Sequence, residues 1–269
     1  MKLLNITRAI LLYFIFISTA FADSKAQVVF ESTVKLDEKI IQNNLQSSED
    51  ILSFEQLIND TFKISQPLYF VFGGDDGPLY DTENNEIIIP YLFIKEIKSR
   101  FTKNKYFQTG VTVDEATIDA LIHTMFHELA HALVAMYDLP VLGKEEDAAD
   151  ALATLLLIDS YQDGQEIAIS AADLFDLESQ DIKAIQEEDF WDEHSLDAKR
   201  YYSTICLVYG SSPKKYSYLL KEEKLPQDWA DRCLSDYENT ANSWYDILNS
   251  YIKHNNANPG DAPKARAAD

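Results

Sequence analysis

The sequence is poor in cysteine and in basic residues, and it lacks several common functional signatures. Its two cysteines form no C-x-x-C pair, and no glycine-rich phosphate loop or internal repeat is present, so dithiol, nucleotide-binding and repeat proteins are not indicated. Lys and Arg number 23 against 45 Asp and Glu, which gives a formal net charge of −22. A surface this acidic repels nucleic acid and anionic membranes, so we expect neither as a partner.

Long apolar runs are also absent, except at the N-terminus. Beyond it, no stretch approaches the roughly 20 apolar residues that a transmembrane helix needs. Met1–Ala22 has Lys2 and Arg8 ahead of the apolar core Ala9–Ala20, and it ends in the A-x-A pattern of a cleavage site. We therefore predict a signal peptide at residues 1–22 and an exported protein, periplasmic or secreted, with no membrane span after cleavage. An uncleaved anchor is the alternative.

The export prediction bears on the two cysteines, Cys206 and Cys233. Compartments outside the cytoplasm are oxidising, so one disulfide is the simplest use of two cysteines in an exported chain. We predict a Cys206–Cys233 bond between two C-terminal helices. A cysteine nucleophile would need a free thiol beside a histidine, which nothing in the sequence indicates.

The strongest chemical signal is the motif H-E-x-x-H, formed by His127, Glu128 and His131 within Ile118–Leu133. Side chains four residues apart on an α-helix differ by about 40° in direction and about 6 Å in height, so both imidazoles can reach one metal ion. A zinc ion held by two histidines and a further protein ligand keeps a position for water, whose proton the neighbouring carboxylate can take. The motif predicts zinc on His127 and His131, with Glu128 as general base.

The residues around the motif predict the helix that it needs. Thr112 and Glu115 form an S/T-x-x-E capping box, which places the start of the helix near Val113. Apolar residues recur with helical spacing through the motif, and Pro140 stops the helix shortly after Asp138. A core helix with hydrogen-bonded histidines is the alternative to a metal site.

The third metal ligand is expected downstream. A third histidine in the form H-E-x-x-H-x-x-G-x-x-H fails, because the chain has Val134 and Tyr137 where Gly and His are required. A glutamate on a second helix fits better, since Gly143–Leu157 has helical spacing and carries Glu146 and Asp150 four residues apart. We predict Glu146 as the third ligand and Asp150 as the acceptor that orients one of the histidines.

Alternatives to this assignment remain open. Glu145 and Asp147 compete with Glu146, since acidic residues are common in the first turn of a helix. The histidine oriented by Asp150 is expected to be His127. His123, one turn before it, is expected to be a packed, hydrogen-bonded histidine outside the metal set.

These motifs resemble those of known metallopeptidases. The H-E-x-x-H helix followed by a glutamate helix is similar to the active site of the gluzincins, the zincins with a glutamate ligand. A closer resemblance, covering Tyr69–Tyr251, is to a bacterial metallopeptidase family known as a domain of unknown function. The segments that carry it are HELAHAL, LPVLGKEEDAAD, Asp192–Pro213 and the residues Trp229, Arg232, Cys233 and Trp244. It implies a zincin-like fold and a zinc peptidase site at His127, Glu128, His131 and Glu146, without a substrate.

Outside the motif helices, the sequence predicts a small sheet and further helices. Runs of β-branched and aromatic residues predict strands at Leu68–Phe72 and Glu86–Pro90, and Val28–Phe30 is a shorter run of this kind. Helical spacing predicts helices at Tyr91–Arg100 and Ser170–Gln186. The expected fold is α+β and zincin-like, with a small N-terminal sheet beside the motif helix and a mostly helical C-terminal part.

We divide the chain after the predicted signal peptide into three parts. Residues 23–66 are an N-terminal arm, for which a leader, a packing arm and a small propeptide are alternatives. Residues 67–254 form the metallopeptidase domain. Residues 255–269, rich in Ala, Pro, Asn and charge, are predicted to be a disordered tail.

His194 is the first candidate for a further catalytic role. Ser195 is a plausible N-cap for a helix ended by Gly210, which leaves His194 at the edge of that helix. Zinc peptidases need a donor, usually His or Tyr, to stabilise the oxyanion. Tyr201 and Arg200 are the alternatives for this role, and a surface histidine is the simplest other explanation of His194.

The predicted function is hydrolysis of a peptide or protein substrate by an exported zinc peptidase. Zinc activates water, Glu128 takes its proton, and His194 supports the oxyanion. A zinc-stabilised binding or scaffold protein is one alternative, although a structural metal site has no use for a free base. An amide hydrolase that acts on a cell-wall peptide or a small molecule is another.

Overall fold

The computed structural model describes residues 25–221 and 224–253, and their fold is α+β, as predicted. The signal peptide predicted at residues 1–22 and the tail predicted at residues 255–269 lie outside the described residues. One mixed sheet has the strand order β1-β2-β4-β3. Its strands are β1 (Ala26–Phe30), β2 (Leu68–Phe72), β3 (Leu79–Asp81) and β4 (Glu86–Ile89).

Helices make up most of the remaining described chain. They are α1 (Leu36–Gln46), α2 (Glu49–Thr61), α3 (Tyr91–Lys103), α4 (Val113–Tyr137), α5 (Glu145–Ser160), α6 (Gly164–Ser179), α7 (Asp197–Ser211), the short α8 (Tyr218–Lys221) and α9 (Ala230–Leu248). None of the described helices is both long and apolar enough to cross a membrane.

The sheet and its helices share one core with α4. β1 and β4 each pair parallel with β2, and the short β3 pairs antiparallel with β4. Phe54 of α2 joins the layers, because its ring lies 5.1 Å from Phe70 of β2 and 5.0 Å from Phe126 of α4, measured between centroids. The described part of the predicted N-terminal arm therefore contributes a strand and two helices to this core.

Helix α4 runs through the middle of the molecule. Leu121 and Leu129 are fully buried, and the helix contacts β3 and β4 as well as α3, α5 and α6. Helices α6 and α9 pack on α7, so a layer of helices lies behind the two motif helices. The predicted disulfide is confirmed, with Cys206 on α7 bonded to Cys233 on α9.

Most predicted elements are present, but the boundaries of several helices differ from the prediction. α4 begins at Val113, where the hydroxyl of Thr112 accepts a hydrogen bond from the Glu115 N–H at 3.1 Å. The helix predicted at Ser170–Gln186 instead spans Gly164–Ser179. The helix after His194 has Leu196, not Ser195, at its N-cap, and it continues through Gly210 to Ser211.

Candidate metal centre

The two histidines of the motif face one point on the surface of α4. His127 is buried and His131 is half-buried, and their Nε2 atoms lie 3.2 Å apart. This proximity follows from their spacing of one helical turn. The imidazoles of His127 and His131 project from a helix that is otherwise largely apolar. The other faces of this helix pack against the core and against α5.

The first turn of α5 supplies a carboxylate to the same point. The two carboxylate oxygens of Glu146 lie 3.1 Å from Nε2 of His127 and 3.4 Å from Nε2 of His131. One ligand atom from each of these three residues falls within 4.8 Å of the other two. Two imidazoles and a carboxylate that converge in this way form a donor set for a metal ion.

The opposite nitrogens of the imidazoles are held by other carboxylates. Nδ1 of His127 donates to Asp150 at 2.8 Å, and Nδ1 of His131 donates to Glu145 at 2.8 Å. These bonds fix the orientation of each ring and leave Nε2 of both histidines turned toward Glu146. Glu145, which the sequence leaves open as an alternative to Glu146, thus contacts Nδ1 of His131, on the side of the ring away from Glu146.

Asp150 is itself held by an arginine on α7. Nε and Nη2 of Arg200 donate to its two oxygens at 2.7 and 2.8 Å. The guanidinium carbon of Arg200 lies 3.9 Å from the centroid of the Phe175 ring, a cation–π arrangement that packs the guanidinium against the ring. A chain of contacts thus runs from α7 through Asp150 to His127.

The charges of the site act strongly on one another. Burial by itself lowers the pKa of His127, but hydrogen bonds to Asp150 and Glu146 outweigh it and raise that pKa to about 9. Burial likewise opposes a charge on Glu146, yet hydrogen bonds from His127, His131 and His194 hold the pKa of Glu146 far below its ordinary value. Glu146 is therefore an anion at any pH near neutrality.

Glu128 differs from the other acidic residues of the site. It is buried, with 7% of its surface exposed, and no hydrogen bond or ion pair to its carboxylate occurs among the residues that the structure describes. Burial raises the pKa of Glu128, while the neighbouring charges of His127 and His131 lower it. A buried carboxylate without a fixed partner is free to accept a proton and release it.

His194 lies at the mouth of the site. Its Nε2 is 2.9 Å from Oε2 of Glu146, and its ring stacks on His127 with centroids 6.1 Å apart. Lys144 holds the preceding loop by donating to the backbone carbonyls of Asp192 and His194 at 2.8 and 3.2 Å. The side chain of His194 is 41% exposed, so one side of its ring faces solvent.

Other residues considered in the sequence lie away from the convergence point. Asp147 pairs with Lys199 at 2.5 Å. Tyr201 is buried near Asp173, outside the metal centre. His123 is fully buried, and burial lowers its pKa to about 3, which keeps it neutral. Its Nε2 has no hydrogen-bond partner in the described part of the chain.

Sequence reasoning missed the part that Arg200 plays. Arg200 is an alternative oxyanion donor in the sequence analysis, but the edge of its guanidinium formed by Nε and Nη2 donates to Asp150. A signal was available, because a buried aspartate needs a cationic or hydrogen-bonding partner. The partner itself could not be chosen, since Arg200 lies 50 residues from Asp150 in the sequence and no local signal places α7 against α5.

Comparison with known proteins identifies one family. A family model described as "Putative metallopeptidase" (DUF4344) matches residues 30–248. The matched span is most of the chain and contains every residue of the candidate metal centre. No curated protein and no solved structure matches the chain. The family description names a class of hydrolase and no substrate.

Proposed function

We propose that this chain, which belongs to the family described as putative metallopeptidases, is an exported zinc peptidase of the gluzincin kind. The observation that carries the proposal is the buried carboxylate of Glu128, which lies without a fixed partner beside a three-residue donor set. A purely structural metal site closes its fourth position and needs no such base. A metal-stabilised scaffold would not retain a buried carboxylate of this kind without a reason.

Zinc is the metal that suits the donor set of His127, His131 and Glu146. Two imidazole nitrogens and one carboxylate oxygen are the ligands of zinc sites that hydrolyse peptides. Hydrogen bonds from Nδ1 to Asp150 and Glu145 leave Nε2 of each histidine as the ligand atom. Zinc bound there would act as a Lewis acid, lowering the pKa of water and polarising a carbonyl group.

Glu128 and His194 would supply the acid–base chemistry and the oxyanion contact of the reaction. Glu128 would take a proton from the attacking water and deliver it to the leaving amine, which its burial assists by raising its pKa toward neutrality. His194 would hold an N–H toward the carbonyl oxygen as negative charge develops on it. The half-exposed position of His194 beside Glu146 supports this role.

Export of the protein is part of the proposal. The Cys206–Cys233 disulfide is typical of oxidising compartments. The charged and apolar pattern of Met1–Ala22 supports the same conclusion from the sequence. N-terminal sequencing of the protein from a bacterial host that expresses the full chain tests export, because we expect an exported chain to lose residues 1–22.

The decisive experiment compares the wild type with Glu128→Gln and Glu146→Ala, each purified and assayed for zinc content and hydrolysis of a peptide library. We expect about one zinc per chain in the wild type and in Glu128→Gln, and its loss in Glu146→Ala. Hydrolysis should fall at least about 100-fold in Glu128→Gln. Full activity in that variant, or a zinc-loaded wild type that cleaves no peptide, would contradict the proposed function.

A further inference from the structure

A cavity of about 280 Å³ lies beside the candidate metal centre. It is formed by the loop before α7 and by the first turn of that helix. His194 belongs to both places, since its ring lines the cavity and its Nε2 lies 2.9 Å from Glu146. A group bound in the cavity would therefore be next to any substrate at the metal.

Three carboxylates give this cavity its charge. Asp189, Asp192 and Asp197 all line it. Asp189 and Asp192 accept hydrogen bonds from backbone N–H groups at 2.7 and 2.9 Å, and no lysine or arginine lies within 4.0 Å of either carboxylate among the residues described. Burial raises the pKa of Asp197, a desolvation penalty that a bound cation would relieve.

The cations near the cavity are already engaged. Arg200 lines it, but its guanidinium forms two hydrogen bonds to Asp150 and reaches Asp197 only at 3.9 Å. Lys144 donates to backbone carbonyls of the loop, and Lys199 pairs with Asp147 at 2.5 Å. Negative charge in the cavity is thus left in excess.

The remaining walls of the cavity are aliphatic. Ile182 and Leu196 line it together with the carboxylates. This combination matches a side chain with an apolar stem and a cationic end, which buries its methylene groups and leaves its charge with the carboxylates. Lysine and arginine are the side chains with this form. A neutral side chain of the same length would desolvate the carboxylates without adding a cationic partner.

We propose that this cavity is the specificity pocket of the enzyme and receives a lysine or arginine side chain of the peptide substrate. This inference rests on the proposed peptidase function. Asp192 and Asp197 are the residues that determine the preference, because they lie at the His194 end of the loop and in the first turn of α7. The bound side chain would be held by charge, and its peptide bond would lie beside His194.

The test uses pairs of fluorogenic peptides that differ only in arginine or citrulline, which has the same shape without the charge. With zinc-loaded protein we expect kcat/KM to be at least about tenfold higher for the arginine peptide. Asp192→Asn and Asp197→Asn should each reduce this ratio, and the double variant should bring it near one by lowering kcat/KM for the arginine peptide. Asn keeps the hydrogen-bond acceptor that Asp192 uses in its loop.

A matched control is Asp181→Asn, which removes one negative charge beside the cavity wall at a residue that pairs with Arg100. It should leave the ratio unchanged, because the preference requires contact in the cavity. Binding of both peptides to zinc-loaded Glu128→Gln, followed by fluorescence anisotropy, gives the same comparison without turnover. Thermal unfolding of each variant would show that it is folded.

The outcomes separate the two proposals. Equal hydrolysis of arginine and citrulline peptides, or a preference that persists in the double aspartate variant, would overturn the pocket and leave the peptidase function standing. A preference that is lost on acetylation of the peptide N-terminus would also overturn it, since the cavity would then bind a terminal amine. No hydrolysis of any peptide by zinc-loaded protein would reject the peptidase function, and equal affinities for Glu128→Gln would then reject the pocket independently.

Discussion

Asp150 is the residue that fixes the ring of His127 in the candidate metal centre. Its carboxylate is buried and accepts hydrogen bonds from His127 on one helix and from Arg200 on another. Burial opposes its ionisation, but Arg200 and His127 hold the pKa of Asp150 far below its ordinary value. An ionised Asp150 can only accept, so Nδ1 of His127 must carry the proton, and Nε2 is the nitrogen left for a metal.

Removing the charge of Asp150 should therefore weaken zinc binding without removing a ligand. For Asp150→Asn we expect a loss of zinc affinity of about 10-fold to 100-fold, measured by competition with a chromophoric chelator. Arg200→Lys should lose less, because a lysine can still make one charged contact with Asp150. Asp147→Asn is the control. Asp147 lies on the same helix but pairs with Lys199 and with neither histidine, so this variant should bind zinc like the wild type. An unchanged affinity in Asp150→Asn would show that His127 is oriented by other contacts.

The packing of α7 on α9 positions Arg200 and depends on a glycine. Gly210 lies inside α7, where an added Cβ would come 2.2 Å from the carbonyl oxygen of Cys233 and 2.6 Å from Cβ of Tyr237. The two helices therefore approach closely beside the disulfide that joins them. The sequence pattern suggested instead that Gly210 ends the helix, because glycine is more common at helix ends than at close helix contacts.

Gly210→Ala should destabilise the protein by forcing α7 away from α9. Overpacking costs about 1–3 kcal/mol, and the better helix propensity of alanine returns up to about 1 kcal/mol, so the free energy of unfolding should decrease. Urea unfolding followed by circular dichroism measures the change. Ser203→Ala, on the exposed face of the same helix, is the control and should be neutral or slightly stabilising. Equal stability of Gly210→Ala and wild type would mean that the helices separate at little cost.

The elements that could be predicted are those with local signals. The Thr112 cap and the apolar spacing of α4 determine its position without reference to the rest of the molecule, and the spacing of four residues between Glu146 and Asp150 predicts that both lie on one face of a second helix. Gly210 and Arg200 could not be placed in this way, because their roles depend on contacts with α9 and α5. The α6 boundary was wrong for a related reason, since Gly164 starts this helix against the backbone of Leu157.

At the scale of the whole molecule, the segment before β2 is part of the folded core. The side chain of Asn59 on α2 accepts a hydrogen bond from the Ala26 N–H at 3.0 Å and donates to its carbonyl at 2.8 Å, which ties α2 to β1. Phe54 and Ile58 of α2 are fully buried. Loss of these two side chains would cost about 5–10 kcal/mol, which is comparable to the total stability of about 5–15 kcal/mol typical of a domain.

A chain that begins at Pro67 should therefore fail to fold, whereas a chain that begins at Lys25 should fold normally. Solubility, far-UV circular dichroism and cooperative thermal unfolding of the two proteins measure the difference. This expectation applies to the described residues 25–66, for which a removable propeptide was an alternative. A cooperative, zinc-binding protein that begins at Pro67 would support that alternative and contradict the structural role of β1 and α2.

The candidate metal centre also links the stability of the whole molecule to pH. Without metal, the pKa of His127 is about 9 in the folded protein, above the ordinary value of about 6.5. The stabilisation that this raised pKa provides is complete below pH 6.5 and is lost as the pH rises through 9, by up to about 1.4 kcal/mol per pH unit. Zinc requires neutral imidazoles, so its affinity changes in the opposite direction and increases over the same range.

The melting temperatures of zinc-loaded and chelator-treated protein should therefore diverge as the pH rises from 6.5 to about 9. The melting temperature of the chelated protein should fall as the pH rises. The difference between it and the melting temperature at a fixed concentration of free zinc should grow with each increase in pH. Circular dichroism melts in paired buffers give the difference directly. In Glu146→Ala, which removes one proposed ligand, adding zinc should change the melting temperature little at any pH. This variant separates zinc binding at the site from non-specific effects of zinc. A difference between the two melting temperatures that stays constant with pH would show that zinc binds without displacing a proton from His127, and the coupling between metal and proton in this centre would have to be abandoned.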